Sequence, residues 1–162
     1  MKFKKIFLFI LIFILLGTLT LTGFANEENN LDEIEDYIYK VYEKYQENEF
    51  EEVYNNMHPE IREVLDKETY IKFQEKNTSK YNIEISEVEV LKVTTLEKWP
   101  DAFEDIITDK ENNGLYEITI KYKTNYKNAG GKKEKIIEKE TYAVNYKSQN
   151  YLLWDPNVIN KD

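Results

Sequence analysis

The chain has 162 residues, a single histidine, no cysteine, and 31 acidic against 22 basic side chains, for a net charge of −9. Without thiols there is no disulfide, no zinc–thiolate site and no cysteine nucleophile. The acidity argues against nucleic acid and anionic headgroups as partners, because such surfaces repel one another.

The first 25 residues form a separate object. Lys2, Lys4 and Lys5 precede an unbroken apolar run from Ile6 to Leu16, and Gly23-Phe24-Ala25 offers small residues at a cleavage position. This is the layout of an export signal, with cleavage expected after Ala25. The alternative is an uncleaved anchor, since Ile6 to Phe24 carries no charge, but Gly17, Thr18, Thr20, Thr22 and Gly23 weaken its second half. A lipid anchor of the bacterial lipoprotein kind would need a cysteine. Cleavage leaves 137 residues and a net charge of −12, because three lysines and no acid lie in the signal. That is one domain, expected over residues 31–162 behind a short polar tether at 26–30. All 13 tyrosines fall in it, beside only Phe50, Phe73 and Phe103, so tyrosine must supply much of the core.

Asn30, with Glu33 three residues on, has the spacing of a helix N-cap. Leu31, Ile34, Ile38, Val41, Tyr42 and Tyr45 then follow at helical spacing, with charged residues on the other faces. A second helix is expected from Asn48, with Phe50, Val53, Tyr54 and Met57 as its apolar stripe, and His58-Pro59 stops it. Pro59 suits the first turn of a short helix carrying Ile61, Val64 and Leu65. Asp66 can cap a fourth, in which Tyr70, Ile71 and Phe73 are apolar.

At Tyr81 the period changes from helical to alternating. Tyr81, Ile83 and Ile85 alternate with polar residues, the phase slips at Ser86-Glu87, and Val88 and Val90 resume it, which predicts a bulged or bent strand. Within Thr94 to Gly114, Trp99 to Phe103 reads as a helical turn and Asp109 to Gly114 as a polar loop; the segment is expected to be specific to this protein. Tyr116, Ile118, Ile120, Tyr122, Thr124 and Tyr126 then mark one face of a strand. Asn128-Ala129-Gly130-Gly131 is hairpin material, and the chain returns with Tyr142, Val144 and Tyr146 on one face. Ser148-Gln149-Asn150 is expected to turn it into a last strand, Tyr151 to Trp154, with Leu152 or Leu153 alternating into the core. Pro156 ends the pairing. Helices first and an antiparallel meander after them is the order of an α+β fold.

Little of the sequence carries catalytic chemistry. His58 is the one histidine; it reads as a helix cap or surface residue, with a dyad to Glu60 or Asp66 as the sharper alternative. A metal site would need carboxylates for nearly all its ligands, and neither metal nor cofactor is expected. Asp109 to Gly114 imitates the start of a calcium loop, but its twelfth position is Ile120, within a strand. Ser148-Gln149-Asn150 has the serine–x–asparagine pattern of penicillin-recognising enzymes without its companion motifs, so it reads as a turn. Tyr37, Tyr42, Tyr45, Tyr54, Tyr122, Tyr126, Tyr142 and Tyr146 either fill the wet rim of a small core or line a pocket for a sugar or aromatic ligand. The candidate pocket set is Tyr42, Tyr54, Tyr122, Tyr142 and Trp154.

The order of elements resembles the nuclear transport factor 2-like superfamily, a cone-shaped α+β fold with N-terminal helices packed on a bent antiparallel sheet. Trp154-Asp155-Pro156-Asn157-Val158-Ile159 is similar to the close of the N-terminal domain of MecA-type penicillin-binding transpeptidases, where a final strand runs into Trp-Asp-x-Ser-(Leu/Val)-Ile. Tyr54-Asn55-Asn56-Met57 with Pro59, and the Asp66 to Phe73 helix, are similar to that family's helical half. Asn157 replaces the family's serine, and Asn160 stands where an apolar residue would lead onward. The resemblance covers about Leu31 to Ile159. It implies an exported, non-catalytic module near the bacterial cell wall, whose partner is an envelope protein, a peptidoglycan fragment or a small ligand in the cone. A stand-alone copy is expected to inherit location and fold but no acylation chemistry. The alternative it leaves open is a small superfamily enzyme with an acid–base pair, drawn from His58 and a carboxylate, in the cone.

Overall fold

The computed structural model describes residues 30–81, 83–112, 114–128 and 131–161. The predicted export signal, the tether up to residue 29 and Ala129-Gly130 of the hairpin lie outside them. Contacts divide the chain into Met1–Glu33 and Ile34–Asp162. Of the first unit, residues 30–33 are described, and they are helical, so Asn30 lies within a helix rather than capping it. The second unit holds the sheet and the helices that pack on it.

Residues 30–46 are helical (α1) and bury Ile34, Ile38, Val41 and Tyr42, the stripe expected from the spacing. Its end is a Schellman motif. Glu49 N–H donates to the Lys44 carbonyl and Asn48 N–H to that of Tyr45, while Asn48 takes a left-handed φ of 58° that asparagine tolerates. α2 (Phe50–Asn55) stops short of Met57. Met57 instead forms a parallel bridge to Leu152, flanked by Leu152 N–H donating to Asn56 and His58 N–H donating to Leu152. α3 (Pro59–Val64) has Pro59 at its first position, and the His58 ring accepts from Glu60 N–H as its cap. Asp66 caps α4 (Lys67–Tyr81) through Thr69 N–H at 2.8 Å and the Thr69 hydroxyl at 2.9 Å.

α4 overrides the expected strand start, since Tyr81 is its last residue. β1 (Glu84–Thr95), β2 (Gly114–Asn128), β3 (Gly131–Tyr146) and β4 (Gln149–Leu153) form one antiparallel sheet in the order β1-β2-β3-β4. The fold is therefore α+β. The slip at Ser86-Glu87 is a bulge, with Glu87 at a φ of 52° and the register broken between Ser86 and Glu89; a second shift follows between Val90 and Lys92. Lys147 and Ser148, at φ of 50° and 63°, form the two-residue turn between β3 and β4. Two left-handed residues match the twist of a tight hairpin. Gln149 and Asn150, expected in the turn, belong to β4, and Trp154 lies beyond it.

Register explains the two leucines. Ile118, Thr141, Ala143 and Leu152 share one face of the sheet with Ile120 and Tyr122, whereas Leu115, Tyr142, Val144, Tyr151 and Leu153 share the other. Leu152 and Leu153 are both buried, one on each face, where single-faced alternation was expected. α1 covers the first face, with Tyr42 against Tyr122 at 6.1 Å between ring centroids. The second is covered by the β1–β2 connection, which holds α5 (Asp101–Glu104). Phe103 packs edge-on to Tyr142 at 5.9 Å, and Phe103 and Ile107 are both buried. After β4, Trp154 meets Tyr70 and Phe73 of α4 edge-on, at 5.1 and 6.1 Å, and a 3-10 helix (Pro156–Lys161) follows.

Candidate ligand cleft

Along α4 the inward stripe changes character. Tyr70 is fully buried, but the next residues on the same face, at steps of four, three and one, are Gln74, Asn77 and Thr78. An inward helix face is normally apolar; here it borders a cleft of about 410 Å³ between α4, the α1–α2 turn and the far half of the sheet. Tyr122, Thr124 and Tyr126 of β2 and Lys135 and Ile137 of β3 form its sheet wall, joined by Ile83 and Ile85. The Schellman turn brings Tyr45, Asn48 and Phe50 to its third side. Among the described residues the lining has an apolar and aromatic body, neutral amides and hydroxyls on the helix side, and one charged side chain, Lys135. Among the described residues no carboxylate and no histidine lines it.

Its inner end is held by aromatic contacts. Tyr42 and Tyr45 lie 5.4 Å apart, Tyr45 and Phe50 6.2 Å apart, and the hydroxyls of Tyr45 and Tyr70 are 2.7 Å apart. Burial pushes the Tyr42, Tyr45 and Tyr70 hydroxyls far above their usual range, so they stay protonated and serve as hydrogen-bonding groups, not bases. Burial also raises Tyr122, against the opposing pull of the Lys139 ammonium 5.8 Å above its ring.

The five residues expected to share a pocket do not. Tyr122 lines the cleft. Tyr42 is buried beneath it in contact with Tyr122. The Tyr54 hydroxyl donates into the backbone at Leu65, 2.7 Å, and Arg62, 3.0 Å, which ties α2 to α3. Tyr142 lies on the other face of the sheet, and Trp154 packs beside Tyr70 and Phe73. Of the wider tyrosine set, Tyr45 and Tyr126 belong to the cleft. Spacing alone missed Gln74, Asn77, Thr78, Thr124 and Lys135. The signal that could have found them was helical spacing continued by polar residues, which resembles a helix end.

His58 is elsewhere, 1% exposed, against the rings of Tyr146 at 4.8 Å and Tyr151 at 5.7 Å on the second face. It caps a helix as expected but is no surface residue. Its Nδ1 accepts the Glu60 N–H, so Nε2 carries the proton of the neutral ring, and that buried atom has no partner among the described residues. Burial holds its pKa below the usual value, against the pull of Glu60 and Asp109. Neither expected carboxylate forms a dyad with it. Glu60 accepts from Thr108 N–H at 2.7 Å, the Thr108 hydroxyl and Asp109 N–H at 3.1 Å; these outweigh its desolvation and keep its pKa low. Asp66 serves as the α4 cap. Asp109 in turn accepts from the Tyr146 hydroxyl at 2.7 Å, so Glu60 and Asp109 pin the β1–β2 connection to α3 and β3.

A second, more open hollow of about 640 Å³ lies where Asp66, Asp101 and Asp105 border Leu65, Ile106 and Ile159. Among the described residues no cluster of histidine and carboxylates is placed to hold a metal, and no helix is long and apolar enough to cross a membrane. No protein-family model matches the sequence, nor does any curated protein.

Proposed function

We propose that this chain is an exported, non-catalytic binding module of the bacterial cell envelope, built on a nuclear transport factor 2-like cone, that receives a small ligand between α4 and its sheet. The carrying observation is the polar inward face Gln74, Asn77 and Thr78 opposite Tyr122 and Tyr126. Amides and hydroxyls facing an apolar-walled hollow of about 410 Å³ are what a small-molecule site requires, and a closed core would place leucine or valine there. The reading as a binder and not an enzyme rests on the lining, where no acid–base pair converges among the described residues, and on His58 packing against the opposite face. Export rests on the N-terminal signal pattern.

The neutral fluorophore N-phenylnaphthylamine tests the cleft without presupposing charge. Its emission should rise on binding, and Asn77→Trp or Thr78→Tyr, which fill the hollow from α4, should abolish the rise while the far-ultraviolet spectrum stays native. Enhancement that survives both substitutions, or none in the wild type, would contradict the reading. Intact mass of the secreted protein tests processing after Ala25.

A further inference from the structure

We infer that the ligand is a small amphiphilic monoanion, whose carboxylate or similar head meets Lys135 while its apolar body lies along Ile83, Ile85, Ile137 and the rings of Tyr122 and Tyr126. The inference rests on the cleft being a binding site at all. Charge distribution carries it. In a chain with 31 acids and 22 bases, no carboxylate among the described residues lines the cleft and one lysine does, which favours an anionic head over a cationic one.

On the opposite face of the sheet two lysines are neutralised, while on the cleft face Lys139 lies over the rings of Tyr42 and Tyr122 at 5.5 and 5.8 Å. Lys121 pairs with Glu89 at 2.7 Å, and Lys123 with Glu87 at 2.8 Å and Glu134 at 3.2 Å, all on the opposite face. Lys135, which sits across from Thr124 on the cleft face, enters none of these pairs. The Thr124 hydroxyl donates to the Lys135 carbonyl at 3.0 Å, which fixes the Lys135 backbone beside the cleft. Ile83, Ile85 and Ile137 in the same lining offer apolar surface for the body. Asn48 and Asn77 line the same space, and their amides can donate to the oxygens of such a head or accept from a hydroxyl on the body, while the Gln74 amide also bonds the Tyr70 hydroxyl. A dianion or a sugar phosphate fits less well, because one lysine cannot match two charges.

Competition against bound N-phenylnaphthylamine with decanoate, decanol and decylamine separates the charge claim from the cleft claim. Decanoate should displace the probe at concentrations about tenfold lower than decanol, with decylamine weaker still. In Lys135→Met, which keeps an aliphatic stem at an exposed position, the ratio of decanoate to decanol displacement, each referred to that variant's own probe affinity, should fall to one. Equal displacement by decanoate and decanol, or a decanoate advantage that persists in Lys135→Met, overturns the monoanion while leaving the cleft intact. Loss of probe binding from the wild type overturns both.

Discussion

The two halves of one sheet are built from the same alternating pattern and end differently. In the half nearest β4, Leu115, Tyr116, Ile118, Ile120, Ala143, Val144, Leu152 and Leu153 are all at most 4% exposed, and both faces are covered. In the far half, residues 121–126 of β2 are half-buried, with a cleft on one face and the lysine–glutamate pairs on the other. The strand is continuous through both, so the difference comes from what lies above it. α1 and the β1–β2 connection cover the near half, through Tyr42 at Thr141 and Phe103 at Tyr142, whereas the later turns of α4 stand over the far half with Asn77 and Thr78 inward. The near half holds the closed core; the far half borders the cleft.

That division predicts a steep gradient in the cost of substitution. Leu152→Ala should be the most damaging single change, about 2–5 kcal/mol by chemical denaturation, since it opens a cavity beside the Met57 bridge. A cost below about 1 kcal/mol would place the core elsewhere. Acidification should come next. Burial depresses the His58 pKa, so the unfolded chain takes up a proton that the folded chain refuses. Stability is therefore full above about pH 6.5 and falls as pH drops through that value towards the lower folded pKa. His58→Asn, which can still cap α3, should flatten that arm of the profile. It should leave the later loss, which begins in the ordinary carboxylate range and runs down through the lowered values of Glu60 and Asp109 as they give up their hydrogen bonds.

In the far half the same measurements should barely move. Tyr126→Ala should cost under about 1.5 kcal/mol, because its half-exposed ring borders the cleft and leaves no closed cavity, yet it should weaken probe binding. Lys121→Met should be smallest of all, within about 0.5 kcal/mol, because its pair with Glu89 is exposed and screened by salt.

The sequence made the elements legible where periodicity and caps speak for themselves. The α1 stripe, the Asp66 cap, the Glu87 bulge and the single face of Tyr116 to Tyr122 all follow from local spacing. It was silent where long-range register decides. Nothing local shows that Met57 leaves its helix to pair with Leu152, or that Leu152 and Leu153 are each buried on a different side. Phe103 and Ile107 covering the second face are equally invisible to it. The candidate site was the least legible part. Tyrosine spacing identifies faces, but Tyr122 and Tyr142 fall on opposite ones, and the cleft is marked by polar residues that look like the end of a helix.

Backbone amide shifts during a decanoate titration test the central claim most directly. Changes should concentrate at Gln74, Asn77, Thr78, Tyr122, Thr124, Tyr126 and Lys135, the walls of the cleft, with the near half of the sheet unmoved. Changes centred instead on His58, Tyr146 and Tyr151, across the sheet, would contradict it.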